Sequence, residues 1–235
     1  MTLQQIIDKS NNIVFFGGAG VSTESGIPDF RSPDGLYAQK YDYPPETIVS
    51  HSFFNEHTEE FYKFYRDKMI FPDIKPNAAH IKLAELEAAG KLSCIITQNI
   101  DGLHAEAGNK NVIELHGSIH RNYCQKCKQS YLLSTITDSD GIPRCECGGI
   151  IRPDVVLYDE HLKQDDIDNA IKAIANADTL IIGGTSLTVW PAAGMINYFN
   201  GKYLVIINKS PTSADKRADL VIKDNIGTTL SKIKV

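Results

Sequence analysis

The 235-residue chain is 42% hydrophobic and 23% charged, with a formal net charge of -5, which is ample apolar material for one large domain with a smaller appendage. That charge argues against a surface built to grip nucleic-acid phosphate or anionic lipid. No run reaches the ~18 apolar residues of a membrane span, and residues 1–10 lack the basic flank and apolar stretch of a secretion signal, so the expected compartment is the cytoplasm.

The first apolar run, Ile13-Val14-Phe15-Phe16, leads directly into Gly17, Gly18 and Gly20. A buried strand turning tightly through glycines is expected to leave backbone N–H groups facing phosphate and to let a ligand approach the main chain. The spacing departs from G-x-G-x-x-G, because Thr23 stands at the third glycine position and the next glycine is Gly26. An ordinary nicotinamide dehydrogenase is therefore a poor match. Pro28-Asp29-Phe30-Arg31 then sets a rigid turn, an anion, a ring and a guanidinium side by side, which favours a nucleotide site over a plain turn.

Residues 38–75 show no strand pattern but many aromatics, among them Phe53, Phe54, Phe61, Tyr62, Phe64 and Tyr65, at spacings that suit a helical lobe. Asn77 to Ala89 reads as a helix, with Ile81, Leu83, Ala84, Leu86 and Ala88 as apolar surface and Gly90 as its C-terminal cap. Further strand-like runs fall at 92–97, 154–157, 179–183 and 203–207. With helices between them they predict an α/β fold, a doubly wound and mostly parallel Rossmann-like sheet. The expected organisation is a nucleotide-binding domain from 1–37, 76–121 and 152–235, interrupted by the helical lobe at 38–75 and a cysteine-rich module at 122–151.

Ligands in open α/β sheets sit at the carboxyl ends of strands. Gln98, Asn99 and Asp101 follow the 92–97 strand, Thr185 and Ser186 follow 179–183, and Asn208 follows 203–207. His116, beside such amides and a carboxylate, is a candidate general base. Asn225 opens the last segment and reads first as a helix cap, with reach to an adenine as the alternative. Cys124-x-x-Cys127 and Cys145-x-Cys147, separated by residues 128–144, come near the pattern of a four-thiolate zinc ribbon. Four thiolates leave no open position for water, so a zinc there would be structural. The second pair lacks one spacer residue, and the module offers little else to stabilise it. Cys94 reads as a packed core residue.

With these pieces in place, the chain resembles the sirtuin family of NAD-dependent protein deacylases over essentially its whole length. The resemblance rests on residues 18–31, Thr97-Gln98-Asn99-Ile100-Asp101, His116-Gly117, the four cysteines, Gly184-Thr185-Ser186-Leu187 and Ile207-Asn208, all in the family's order. It implies that NAD is a co-substrate contacted by Ala19, Thr23, Phe30, Arg31, Gln98, His116, Thr185, Ser186 and Asn208, and Gly20 and Asn225 join the expected NAD-binding set from their places in the chain. Ile100 and Asp101 would hold the nicotinamide amide, Asn99 would order ribose and water, and His116 would be the general base. The resemblance further implies that acetyl-lysine proteins or peptides enter along Val156, Tyr158 and Glu160. Tyr158 and Asp159 replace the family's more usual Phe and Gly. Tyr65 stands where family members that prefer acidic acyl groups carry Arg, so deacetylation is favoured over desuccinylation. Protein ADP-ribosyl transfer and removal of longer acyl chains stay open as alternatives at the same site, and a monomer is expected.

Overall fold

The computed structural model describes residues 1–235. Nine strands form two sheets: β1 Ile13–Gly17, β2 Leu92–Thr97, β3 Val112–Glu114, β4 Gly117–Cys124, β5 Ser130–Tyr131, β6 Ile151–Val155, β7 Thr179–Gly183, β8 Tyr203–Ile207 and β9 Leu220–Ile222. The α-helices are α1 Leu3–Lys9, α2 Pro45–Ile48, α3 His51–Glu56, α4 Thr58–Lys68, α5 Ala78–Ala88, α6 Leu103–Glu106, α7 Leu133–Thr137, α8 Gln164–Asn176, α9 Ala192–Met195 and α10 Ile226–Leu230. The large sheet is parallel throughout, in the order β3-β2-β1-β7-β8-β9. Strand order reverses between β1 and β7, which opens a crevice at their carboxyl ends.

Strand periodicity divides the large core into two layers. Val14, Phe16, Cys94, Ile96, Leu180, Ile182, Leu204 and Ile206 face one side, packed on Ala170 and Ile174 of α8 and on α9. Their alternate neighbours Ile13, Phe15, Ile95, Ile181, Val205 and Ile207 face the other, under α1, α5 and α10. Side chains that alternate across a strand, with both faces covered, explain why these runs are continuously apolar. Helix α5 starts where Asn77 Oδ1 accepts the Ala79 N–H at 2.9 Å and ends at Gly90 with φ +72°. Leu83 and Leu86 are buried as expected, but Ile81 is 48% exposed and His80 lies inside in its place.

Three expectations differ from the structure. The 154–157 run is not a member of the parallel sheet; its first residues end β6, which pairs antiparallel with β4 in a small sheet ordered β5-β4-β6. β4 and β6 run across the expected edges of the cysteine module. The large sheet is instead completed by β3 and β9, each three residues long and too short to show a period. Nor is the module a polar insert without a core. Cys124, Ile136, Cys145 and Ile151 share a cluster of 16 buried residues with Phe53, Phe54, Phe61, Tyr62 and Tyr65 of the helical lobe. The Tyr62 hydroxyl donates to the Ile151 carbonyl at 2.6 Å across that seam.

β4 leaves the large domain at Gly117, which pairs with Val155 at φ +80°; a Cβ there would lie 1.9 Å from the Asp154 carbonyl oxygen. Gly117→Ala is therefore expected to lower stability by about 2 kcal/mol or more, read as a fall in the urea midpoint at unchanged slope.

Candidate active site

A cleft of about 1240 Å³ lies along the carboxyl edge of the large sheet, between it and the smaller lobe. All the residues assigned above to the nucleotide and acyl group line it. Its floor is made by loops that touch through backbone. Gly18 N–H donates to Gly183 O at 3.3 Å and Gly20 N–H to Gly184 O at 2.8 Å. These two amides are committed to the sheet edge, so the expectation that they face phosphate gives way to another role: a Cβ on Gly20 would sit 2.8 Å from Gly184 Cα. The glycines let two main chains meet. Ala19 occupies the turn between them, and Thr23 Oγ1 donates back to Gly20 O at 3.0 Å.

Asp29 closes the next loop by accepting the Arg31 and Ser32 N–H groups at 3.0 and 2.7 Å. The Phe30 ring meets Tyr37 edge-on at 5.5 Å, and Arg31 lies over the same ring at 5.5 Å. Tyr37 and Tyr158 share a hydroxyl–hydroxyl bond of 2.7 Å, which ties this loop to the segment after β6.

At the end of β2, Gln98 Nε2 donates to Thr185 Oγ1 at 3.1 Å and joins two strand ends. Asn99 is nearly buried; its Nδ2 donates to Ser22 Oγ at 3.0 Å, and Ser22 Oγ donates to Asp101 Oδ2 at 2.6 Å. The other Asp101 oxygen accepts the Leu103 N–H at 2.9 Å. Sequence reading did not single out Ser22: its partners lie more than seventy residues away, and spacing alone carries no sign of them. Ile100 accepts the Ile119 N–H through its carbonyl at 3.0 Å and packs against the smaller lobe's core.

His116 Nδ1 lies 2.8 Å from the Gln98 carbonyl oxygen. A carbonyl only accepts, so Nδ1 carries the proton and Nε2 keeps its lone pair. Burial lowers the imidazole pKa below its ordinary 6.5, only partly opposed by that hydrogen bond. The ring is thus neutral and basic at neutral pH.

Ser186 pairs with Thr188 at the rim at 2.8 Å, and the Asn208 side chain donates to Ser210 O at 2.8 Å. Asn225 holds the N-cap position of α10 without capping it. Glu24 caps instead, its carboxylate accepting the Gly227 and Thr228 N–H groups at 2.5 and 3.2 Å. Asn225 Oδ1, in turn, is buried at the cleft without a partner. The cap role therefore passes from Asn225 to Glu24.

The segment after β6 is anchored inward. Val156 N–H donates to His116 O at 2.9 Å, and the Tyr158 main chain bonds to Val49 and His51 at 2.9 Å each. The Glu160 carboxylate accepts from Arg152 Nη2 at 2.6 and 2.5 Å, from Leu157 N–H at 2.9 Å, and faces His51 Nδ1 at 2.7 Å. Burial alone would raise its pKa, but the guanidinium and the other donors hold it below the usual carboxylate range.

The sulfur atoms of Cys124, Cys127, Cys145 and Cys147 all lie within 4.8 Å of one another, with the 124–147 and 127–145 pairs at 3.5 Å. Zinc–sulfur bonds of roughly 2.3 Å place sulfurs about 3.8 Å apart on a tetrahedron. The donor set and spacing therefore fit zinc. The Lys126 and Cys127 backbone N–H groups donate to the Cys124 sulfur at 3.4 and 3.5 Å, and such donors favour the thiolate that a metal needs. Chelating the metal is expected to free four fast-reacting thiols in a colorimetric thiol assay, to leave buried Cys94 protected, and to lower the thermal midpoint by several degrees.

The Sir2 family model matches residues 18–191. The NAD-dependent protein deacetylase of Clostridium perfringens (strain 13 / Type A) is 62% identical over 235 residues, covering 98% of this chain and 96% of that protein. Its namesake from Clostridium acetobutylicum is 60% identical over the same shares. A solved Sir2 structure with deacetylated p53 peptide and 3′-O-acetyl-ADP-ribose superposes at TM-score 0.89 with 39% identity, covering 98% of this chain and 96% of that one. With a match that spans most of the chain in sequence and in shape, this protein belongs to the Sir2 family.

Proposed function

We infer that the protein is an NAD-dependent protein-lysine deacetylase, which moves the acetyl group of acetyl-lysine to ADP-ribose and releases nicotinamide. The observation that carries this is His116, a neutral imidazole whose proton is fixed on Nδ1 by the Gln98 carbonyl and whose Nε2 is left free in the cleft. When bound, NAD supplies an electrophilic ribose carbon with a good leaving group.

The chain's residues prepare the rest. Ala19, Gly20, Thr23, Arg31, Gln98, Thr185, Ser186, Asn208 and Asn225 hold the dinucleotide along the sheet edge, with the orphaned Asn225 oxygen taking a donor from it. Ile100 and Asp101 hold the nicotinamide amide. The Asn99–Ser22–Asp101 chain of hydrogen bonds fixes the amide of Asn99, so that it orients the ribose and one water without reorganising. Phe30 excludes other water from the reacting face. His116 Nε2 accepts the proton of a ribose hydroxyl, and general-base help of this kind contributes about 10²–10⁴-fold.

The acetyl-lysine peptide passes along Val156 and Tyr158. Glu160 serves it indirectly, by pinning the turn at Leu157, since its carboxylate is already satisfied. Zinc at the four cysteines holds the module and takes no part in the chemistry. The net charge of -5 supports protein substrates rather than nucleic acid, and five unpaired cysteines support a reducing compartment, the cytoplasm.

Mass spectrometry of an acetyl-lysine peptide incubated with the protein tests the reading: loss of the acetyl mass with NAD and none without it. His116→Ala is expected to reduce turnover by at least about 10²-fold. Because burial lowers the His116 pKa, the base stays competent as pH falls through 6.5 and is lost only below it; the acid limb of the kcat profile should have its midpoint under that value. Tyr158→Phe removes the bond that braces the Phe30–Arg31 loop. Such a neutral pair contributes about 1 kcal/mol, so the KM for NAD should rise about fivefold while kcat changes less.

A further inference from the structure

The two cysteine pairs close the metal cluster in different ways. In the first, Cys124-x-x-Cys127, the Cys124 sulfur accepts two backbone N–H groups, from Lys126 at 3.4 Å and Cys127 at 3.5 Å. In the second, Cys145-x-Cys147, the loop is one residue shorter. The Cys145 sulfur accepts one backbone N–H, from Cys147 at 3.5 Å, while the next amide, Gly148, turns away to the Cys145 carbonyl at 2.8 Å. The shortened loop thus provides one sulfur donor fewer.

The missing donor comes from another element. The Tyr131 hydroxyl lies 3.0 Å from Cys145 Sγ and donates to it. β5 brings it there: Tyr131 pairs with Asn122 and Ser130 with Tyr123 on the strand that ends in Cys124, so the ring reaches over the cluster from the paired strand. Each of the two pairs then presents one sulfur carrying two hydrogen-bond donors. A thiolate on a dication is electron-rich, and donors to its sulfur offset that charge and fix its direction.

We propose that Tyr131 is a positioning residue for the zinc site, whose hydroxyl replaces the backbone donor lost with the Cys-x-Cys spacing and so would hold the Cys145 thiolate in the ligand set. The inference rests on the cluster binding zinc. It also accounts for how a shortened second pair retains a full ligand set: the loop need not supply both donors when a neighbouring strand supplies one.

The test is zinc affinity, read by competition of purified full-length protein against a chromophoric chelator. Tyr131→Phe keeps the ring and removes the donor, and it is expected to weaken zinc binding about 10- to 100-fold, the usual cost of removing an outer-sphere partner. Inserting one glycine between Glu146 and Cys147 rebuilds the longer loop. In that background Tyr131→Phe should cost less than about threefold, because the backbone again supplies the second donor. If Tyr131→Phe alone is too unstable to purify, the insertion-bearing Tyr131→Phe protein decides: folded and zinc-loaded supports the proposal, and metal-free or unfolded overturns it. A Tyr131→Phe affinity within twofold of the parent, or an equal loss with and without the insertion, also overturns it. Parent protein that binds no zinc overturns the zinc reading itself, a result distinct from these.

Discussion

The cleft depends on one backbone contact, where the loop after β1 rests on the loop after β7. Gly184 turns with φ +58°, Gly20 donates to its carbonyl, and a Cβ added to Gly184 would meet the Val21 nitrogen at 2.4 Å. Neither position accepts a side chain. That near approach occurs where strand order reverses, and it draws Gln98, Thr185 and the Ser22–Asn99–Asp101 hydrogen bonds into one edge. Parallel strands bring the loops to the same side; the glycines determine how closely they meet.

The opposite wall is held by different physics. The helical lobe and the cysteine module are separate in sequence, yet they bury their aromatics and aliphatics in a common core. The Tyr62–Ile151 bond and the Arg66 guanidinium, which donates to the Ile136 and Gly141 carbonyls, stitch that core across its seam. This explains the dense aromatic content of 38–75 and gives the metal module a partner. Zinc at the four cysteines would fix the tip of the module, while hydrophobic burial fixes its base.

Much of this was legible in the chain. Continuous apolar runs located β1, β2, β7 and β8 because a sheet covered on both faces needs no polar alternation, and Asn77 and Gly90 bracket α5 by ordinary capping chemistry. Polar residues directly after those runs had to lie at the carboxyl edge, which is why Gln98, Asn99, Asp101, Thr185 and Asn208 could be named. What escaped has a common cause. Ser22, the inward commitment of Glu160, the replacement of Asn225 by Glu24 as cap of α10, and the Tyr131 donor all depend on partners distant in sequence. The two three-residue edge strands lacked enough length to show a pattern, and the 154–157 run was apolar because Val155 and Leu157 pack into the smaller core while Val156 packs against the large one.

One consequence follows from the partner of His116. The acceptor that fixes its tautomer is a main-chain oxygen, so no single side-chain replacement can take it away. Substituting Gln98 removes its side-chain bond to Thr185 and leaves that carbonyl where the strand end puts it. The protonation pattern of the imidazole is therefore inherited from the path of the backbone. Side chains around it can change how deeply the ring is buried, and with that its pKa, while the nitrogen that carries the proton stays the same.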